Sequence, residues 1–320
     1  MTSRRYLQIG VAALVMGVVG YFVVRQLSWV ELLELWRKAN IGLLALAFAA
    51  YMAANLLRAW RFRVLTGGQL STLPLLRAVL LQNFLNTFLP LRAGEVSYLY
   101  MVHRSGVVKP ADNVASLIGA RALDLVAALW IPLLTLPMSS LWSSQGGTLA
   151  WFAALAIAAA LAFAFTLFQA GALGAWLERV AERRSPRLAR LLGIGGAILR
   201  SLSQLRRASL LGRVTALTFA CWALIYLSGY LNLIGLGIRL GFWDALFAYS
   251  FPVIASMTPV FMLGGFGVFE GSMGAGLHLV GVPLKVAMSA ALLLHIAELI
   301  YVIVPAPFGL NVRSKATPDT

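Results

Sequence analysis

Long apolar stretches recur along the chain, and most of them have the length of a membrane-spanning helix. A helix needs about 20 mostly apolar residues to cross the hydrocarbon core of a bilayer. Stretches that meet this requirement lie at 7–24, 41–60, 113–136, 148–168, 214–236 and 284–306. The pattern predicts an all-α polytopic membrane protein with about six full spans, in which residues 1–320 form a single transmembrane domain.

Two further apolar regions, 74–105 and 243–281, are interrupted by helix-breaking, polar and charged residues. Irregular backbone at membrane depth is tolerated only where it is buried in protein or lines a cavity. We therefore expect each region to form a re-entrant helical hairpin that contributes to a functional site. The expected hinge residues are Pro90 and Gly94 in the first region and Pro259, Gly264, Gly265 and Gly267 in the second.

The two interrupted regions resemble two copies of one unit, with halves at about 74–136 and 243–306. A glutamate in each region is followed at the same distance by a Gly-Val pair. Further on, each half has a second carboxylate with a basic or titratable residue three positions before it. The matching residues are Glu95, Arg121 and Asp124 in the first half and Glu270, His295 and Glu298 in the second. Paired interrupted segments of this kind are typical of a transporter site.

The distribution of basic residues predicts the orientation. The chain has a net charge of +15; segment 169–213 is rich in arginine, whereas loop 137–147 carries no charge. Basic loops favour the cytoplasmic side, which predicts two cytoplasmic termini in a bacterial inner membrane. The hairpins then open to opposite sides, as an inverted repeat. Segment 169–213 is predicted to form amphipathic helices in the headgroup plane, with a solvated cytoplasmic loop as the alternative.

The composition limits the classes of function. With 60% hydrophobic and 12% charged residues, the chain is not a soluble enzyme. No nucleic-acid-binding motif accompanies the basic residues, so no nucleic acid partner is predicted. Cys221 is the only cysteine and the three histidines are scattered, so the sequence predicts neither a metal site nor a cofactor. No nucleophile and base stand in a recognisable catalytic pattern, which makes a transporter more plausible than an enzyme.

Charged residues within the apolar regions are the candidate substrate-binding residues. Arg92 can form a bidentate contact with a phosphate, and Glu270 can carry a proton. Structural roles remain open: Arg92 with Glu95 as an ion pair at the membrane surface, Arg121 with Asp124 as a packing pair, and Glu270 as a helix N-terminal residue stabilised by the helix dipole. The candidate set is Asn86, Arg92, Glu95, Arg121, Asp124, Glu270, His295 and Glu298.

Three motifs in order resemble those of the lysylphosphatidylglycerol synthase transmembrane-region family. The run from Asn86 to Glu95 resembles the first family signature, N-x-x-L-P-x-R-x-G-E. Arg121-Ala-Leu-Asp124 resembles a Glu-Arg-x-x-Asp element, with Ala120 where the glutamate is common. The third, from Pro259 to Glu270, resembles P-x-P-G-G-x-G-x-x-E, and His295 stands where the family often has arginine.

The resemblance implies a flippase-like integral membrane domain without the soluble aminoacyl-transferase domain of the full synthases. We therefore expect a lipid flippase or scramblase whose partners are membrane lipids, either anionic or zwitterionic phospholipids or lipid-linked phosphates. Two alternatives remain at this point. One is a membrane-embedded lipid-modifying transferase, and the other is a non-catalytic helper subunit that recruits a cytoplasmic lipid-modifying enzyme through segment 169–213.

Overall fold

The computed structural model describes residues 29–89, 92–142, 169–181, 186–204, 208–257 and 263–310, together with Ala154, Ile157, Ala158 and Leu161. The predicted span 7–24, most of the predicted span 148–168, and the predicted hinges Pro90 and Pro259 lie outside these residues. The helices are α1 (Trp29–Arg37), α2 (Ile41–Leu65), α3 (Thr72–Phe88), α4 (Ala93–Arg104), α5 (Pro110–Thr135), α6 (Pro186–Gln204), α7 (Ala208–Gly235), α8 (Phe242–Met257), α9 (Val268–Leu279), α10 (Leu284–Ile303) and α11 (Ala306–Leu310). Residues 169–181 are also helical.

Four helical segments of the described residues are long and apolar enough to cross a membrane. They are Ile41–Leu65, Pro110–Met138, Ser209–Gly235 and Leu284–Leu310. These segments confirm four of the predicted spans and a helical, multi-pass membrane protein. The first of them is longer than predicted, because α2 continues to Leu65 instead of ending at residue 60. Arg61 therefore lies within the helix, as Arg58 does.

Each interrupted region forms two short helices, and a long helix follows it in the same half of the chain. In the first region, α3 has 17 residues and α4 has 12, and α5 follows with 26. In the second region, α8 has 16 residues and α9 has 12, and α10 follows with 20. At 1.5 Å per residue a 12-residue helix is about 18 Å long, which is too short to cross a hydrocarbon core of about 30 Å.

Contacts between helix ends show which connections lie together. At one end of the bundle, Asn40 N donates to Gly235 O at 2.7 Å, and Ser140 N donates to Asp244 Oδ1 at 2.8 Å. These contacts join the start of α2, the end of α5, the end of α7 and the start of α8.

At the opposite end, the Arg77 guanidinium lies over the Phe308 ring, 4.9 Å from its centroid. Ala115 at the start of α5 packs with Ala170 and Leu199 of the basic segment. The beginnings of α3 and α5, the end of the chain's last described helix and the basic segment therefore share this end.

The basic segment 169–213 is mostly helical where it is described. Its helix 169–181 packs closely on α6, where a Cβ atom at Gly174 would lie 3.0 Å from the Gly196 carbonyl oxygen. Arg200 forms an ion pair with Glu178 across the same contact, and α6 packs against α5. Residues 169–181 and 186–204 therefore form helices that pack on each other, and they are not an irregular loop.

Two clusters of buried apolar side chains stabilise the bundle. One is formed by α2 to α5 and their connections, and includes Phe62, Leu75 and Tyr98. The larger one is formed mainly by α7 to α10, and includes Leu277 and Leu294. Each interrupted region therefore packs into its own cluster, and the two tips meet where α3 contacts the 3-10 turn Leu263–Gly265.

Candidate functional site

A cavity of about 360 Å³ lies between the tips of the two interrupted regions. Residues from both regions line it, together with residues of α2 and α7. The polar lining residues include Tyr51, Arg58, Asn83, Asn86, Arg92, Arg121, His295 and Glu298, and the apolar ones include Leu89, Trp222, Pro252, Phe269, Leu299 and Val302. A volume of this size and a mixed lining are typical of a small-molecule or headgroup site.

In the first region, Glu95 joins two of the arginines that line the cavity. Its Oε1 atom lies 3.1 Å from Arg92 Nε and 2.9 Å from Arg121 Nε. The predicted ion pair between Arg92 and Glu95 is therefore present, and Arg121 from α5 completes it. Their side chains are 25–38% exposed, which leaves the guanidinium groups accessible from the cavity.

Asp124 is buried behind this layer and has a different main partner from the one predicted. The sequence pairs it with Arg121, but Arg121 Nη1 is 3.5 Å from Asp124 Oδ2. The shorter contacts come from Arg61 in α2, whose two terminal nitrogens lie 2.6 and 3.1 Å from the carboxylate oxygens. Trp222 Nε1 donates to Asp124 at 3.1 Å, and Arg61 also donates to Thr218. This network joins α2, α5 and α7.

Arg58 lines the cavity although the sequence did not indicate it as a site residue. Its Nη1 atom donates to the side-chain oxygens of Asn55 and Asn83, both at 3.3 Å. Asn83 in turn donates to Asn55 Oδ1 at 2.7 Å and to the Tyr51 hydroxyl at 3.3 Å. Neutral amides hold this guanidinium in place, and no ion pair within the described residues supplies it with a carboxylate.

In the second region, Glu270 is fully buried and bound on two sides. Its Oε2 atom accepts the backbone N–H of Gly267 at 2.6 Å, in the manner of a helix-capping glutamate at the third position of α9. Its Oε1 atom lies 2.7 Å from His295 Nδ1. The predicted helix N-terminal role is therefore present, together with a partner from α10.

The geometry of His295 fixes how many protons the pair holds. Nε2 faces the carbonyl oxygen of Gly264 at 2.8 Å, and a carbonyl only accepts, so Nε2 carries a proton. The Nδ1–Oε1 contact at 2.7 Å needs one further proton, which belongs either to His295 or to Glu270. In both arrangements the pair is neutral as a whole. The Phe269 ring is stacked on the imidazole at 4.6 Å, which shields this pair.

Glu298 lies one turn further along α10 and lines the cavity. The Tyr249 hydroxyl of α8 donates to its Oε1 atom at 2.5 Å. One carboxylate oxygen thereby accepts a hydrogen bond, and no other hydrogen bond to Glu298 is seen among the described residues. Among the described residues that line the cavity, Glu298 is the only one with a carboxylate.

The backbone at both tips adopts conformations that favour glycine. Arg92 has a φ of 54° and is the only non-glycine residue with positive φ among the described residues. In the second tip Gly264, Gly265 and Gly267 have φ values of 66°, 78° and 84°. Gly94 has a different requirement: a Cβ atom there would lie 2.1 Å from the Gln82 carbonyl oxygen, so only glycine lets α4 approach α3 this closely.

Five of the eight predicted substrate-binding residues line the cavity, and three lie behind it. The lining residues are Asn86, Arg92, Arg121, His295 and Glu298. Glu95, Asp124 and Glu270 instead bind the lining side chains or the backbone near them. Sequence reasoning did not identify Arg58 as a site residue although the predicted span 41–60 contains it, and it missed Arg61 because that span was ended at residue 60. Their spacing of three, followed by further apolar residues, is the signal that α2 continues and presents both on one face.

The described residues contain no group of three or more His, Cys, Asp or Glu side chains that could hold a metal ion. Cys221 is buried in α7, and its Sγ atom lies 3.4 Å from the Ala54 carbonyl oxygen. The polar groups of the described residues that line the cavity are guanidinium groups, amides, hydroxyls, an indole, one histidine and one carboxylate.

The chain matches the family described as the lysylphosphatidylglycerol synthase TM region over residues 7–306. This protein belongs to that family. The match confirms the resemblance carried by the three motifs, and it supports a membrane role connected with lipids. Comparisons with curated proteins and with solved structures gave no significant match.

Proposed function

We propose that this protein moves a phosphate-bearing lipid between the two leaflets of the membrane, as a flippase or scramblase. The observation that carries the proposal is the cavity between the two tips, where Arg58, Arg92 and Arg121 face a common space. Guanidinium groups bind phosphate through paired, charge-assisted hydrogen bonds. A site of this kind suits a lipid headgroup while the acyl chains remain in the bilayer.

The connections between helices support two re-entrant hairpins that open to opposite sides. The first hairpin, α3 and α4, begins after the end of α2 and returns to the beginning of α5, near the contact of Ala115 with the basic segment. The second, α8 and α9, begins beside the Ser140–Asp244 contact at the opposite end. It leads into α10, which runs back toward Arg77. This arrangement of helix ends supports the inverted repeat that the sequence predicts.

In this proposal each leaflet delivers its lipid to the same cavity through one of the hairpins. The orientation follows from the basic segment, which we assign to the cytoplasmic side of a bacterial inner membrane, with both termini on that side. In a Cys221→Ala background, Gly193→Cys should be labelled by an impermeant thiol reagent from the cytoplasmic side only, and Met138→Cys from the outside only. Labelling of both positions from one side would contradict the orientation.

Leaflet exchange in proteoliposomes is the direct test of the activity. Purified protein is reconstituted with acyl-labelled phospholipid, and the fraction of label accessible to an impermeant quencher is followed with time. Accelerated exchange without a new lipid product supports the proposal. A new product would instead indicate a lipid-modifying transferase, and an inert protein would favour the helper-subunit alternative.

Arg92→Lys tests whether the arginine binds phosphate or only pairs with Glu95. Lysine keeps the charge and can keep the ion pair, but a point charge does not replace the planar pair of donors. We expect a folded variant with a loss of exchange of about tenfold, which corresponds to about 1.4 kcal/mol. Full activity in Arg92→Lys would contradict a role in binding phosphate.

A further inference from the structure

The side chains on the first-region wall of the cavity carry more positive charge than their protein partners neutralise. Arg58, Arg61, Arg92 and Arg121 contribute +4 and the carboxylates Glu95 and Asp124 contribute −2, which leaves a formal charge of +2. Arg61 and Asp124 form a bidentate pair behind the wall. The excess is therefore located on the three arginines that face the cavity.

Arg58 is the arginine with the least compensation. It is half-buried, its Nη1 atom donates to the neutral amide oxygens of Asn55 and Asn83, and its Nε atom is buried without a hydrogen-bond partner among the described residues. Leaving a partly buried guanidinium without an anion costs free energy. The surrounding amides of Asn55 and Asn83 nevertheless hold it toward the cavity, so the fold maintains an unneutralised charge at this position.

The three cavity arginines come from three different helices or helix ends. Arg58 belongs to α2, Arg92 precedes α4, and Arg121 belongs to α5. Arg92 and Arg58 both act on Arg121 through charge repulsion, so the three guanidinium groups lie within electrostatic range of one another. Like charges collected in a cavity are stabilised when an anion binds between them.

We propose that these three arginines form a clamp for a phosphomonoester headgroup, with Arg58 as its third substrate-binding residue. This inference rests on the proposed function and specifies its substrate class. A phosphomonoester carries a charge of about −1.5 to −2 near pH 7 and three terminal oxygens, which match an excess charge of +2 and three guanidinium donors. A phosphodiester offers one charge and two such oxygens, and a zwitterionic headgroup has no net charge.

The opposite wall of the cavity favours the same substrate class. Within the part of the chain that the structure describes, Glu298 is the only carboxylate that lines the cavity, and one of its oxygens already accepts a hydrogen bond from the Tyr249 hydroxyl. The Glu270–His295 pair is neutral as a whole and Glu270 does not line the cavity. This wall therefore does not supply the pair of negative charges that would be needed to turn the site toward a cationic headgroup.

Binding is tested first, because it does not depend on transport. The thermal stability of the purified protein is measured with phosphatidylcholine micelles or vesicles that contain either phosphatidic acid, a phosphomonoester, or phosphatidylglycerol, a phosphodiester. We expect phosphatidic acid to bind at least about tenfold more tightly than phosphatidylglycerol, which corresponds to about 1.4 kcal/mol, because its headgroup makes one more charge-assisted contact. Equal binding of the two lipids would overturn the proposal.

Arg58→Gln is the decisive variant, with Arg63→Gln as its matched control. Arg63 lies in the same helix and its side chain is exposed. Arg58→Gln should remove most of the preference for phosphatidic acid and retain binding of phosphatidylglycerol, whereas Arg63→Gln should retain the preference. If Arg58→Gln fails to fold, Arg58→Lys provides the second test, and an unchanged preference in a folded Arg58 variant contradicts the clamp.

Two further measurements separate this inference from the proposed function. In the first, the thermal stability of the protein is measured with glycerol 3-phosphate or inorganic phosphate and without lipid. If these ligands stabilise the protein as much as phosphatidic acid does, the result would support a site for a phosphate dianion. It would assign that site to a soluble ligand, however, and would contradict lipid transport. Leaflet exchange of labelled phosphatidic acid and phosphatidylglycerol is then compared. Exchange of both lipids at the same rate would support transport and overturn the phosphomonoester clamp. Selective binding of phosphatidic acid without exchange would support the clamp and contradict transport.

Discussion

The tips of the two interrupted regions share a residue with positive φ and a glutamate at the start of a helix, and they differ in ψ at that residue and in the side chains around it. In each tip a residue with positive φ precedes a 12-residue helix, and the third residue of that helix is a glutamate. The capping residue is Arg92 in the first tip and Gly267 in the second. The glutamates, Glu95 and Glu270, each contact a side chain from the following long helix.

The partners of the two glutamates differ in the permanence of their charge. Glu95 contacts two arginines, which stay charged at every physiological pH. Glu270 contacts His295, and the proton between Nδ1 and Oε1 can belong to either partner. The comparison indicates that the first tip supplies a fixed positive field at the cavity. The second tip supplies a neutral pair whose state can change.

The largest expected effect comes from the buried pair behind the first tip. Asp124→Asn leaves Arg61 charged without its carboxylate, which should destabilise the fold by about 3–5 kcal/mol. Glu298→Gln is the corresponding change in the second half. It keeps an oxygen acceptor for the Tyr249 hydroxyl and should cost no more than about 1.5 kcal/mol. Denaturant unfolding in detergent measures both, and equal losses would show that the two halves do not differ as argued.

Close packing at the first tip gives the next effect. Gly94→Ala introduces a methyl group 2.1 Å from the Gln82 carbonyl oxygen, so α4 must move away from α3 at a cost of about 1–3 kcal/mol. Gly271→Ala in α9 is the matched change, because a Cβ atom there meets no atom within 4 Å. The control should be neutral or stabilising by up to about 1 kcal/mol. Thermal unfolding that shows the two variants alike would refute the role of Gly94 in the close approach.

The proton held by Glu270 and His295 provides a functional contrast. Glu270→Gln can keep both hydrogen bonds but not the exchange of a proton between the partners. If transport requires the pair to change state, leaflet exchange should fall by about tenfold, or about 1.4 kcal/mol in barrier, and lose its dependence on pH. Glu34→Gln on the exposed face of α1 is the control. Wild-type exchange and wild-type pH dependence in Glu270→Gln would contradict a requirement for proton exchange between Glu270 and His295.

The smallest expected effect is that of Arg92→Gly, which gives the first tip the residue type that precedes the helix in the second tip. Arg92→Gly relieves the positive φ at this position, which costs an ordinary residue about 1–3 kcal/mol, and loses a partly exposed ion pair worth at most about 1 kcal/mol. We expect a net gain in stability of about 1 kcal/mol together with a loss of phosphate-lipid exchange. A destabilised variant would show that the strain at Arg92 is not released by glycine.

Much of the fold follows from the sequence alone, because the requirement for about 20 apolar residues per span is local. The spans around residues 41, 113, 214 and 284, the broken character of both interrupted regions and the family all follow from the residues themselves. The glycines of the second tip could also be anticipated, since positive φ is costly for other residues. These features depend on neighbours in the chain or on the membrane, not on distant contacts.

The partners of the charged side chains were decided only by the tertiary structure. The sequence paired Arg121 with Asp124 because residues three apart share a helix face, but Arg61, distant in the chain, binds Asp124 more closely. Arg58 lines the cavity because α2 packs beside α3, where Asn83 accepts a hydrogen bond from its guanidinium group. Electrostatic pairing depends on distance in space, which a one-dimensional pattern does not contain, so the composition of the site follows from how the helices pack.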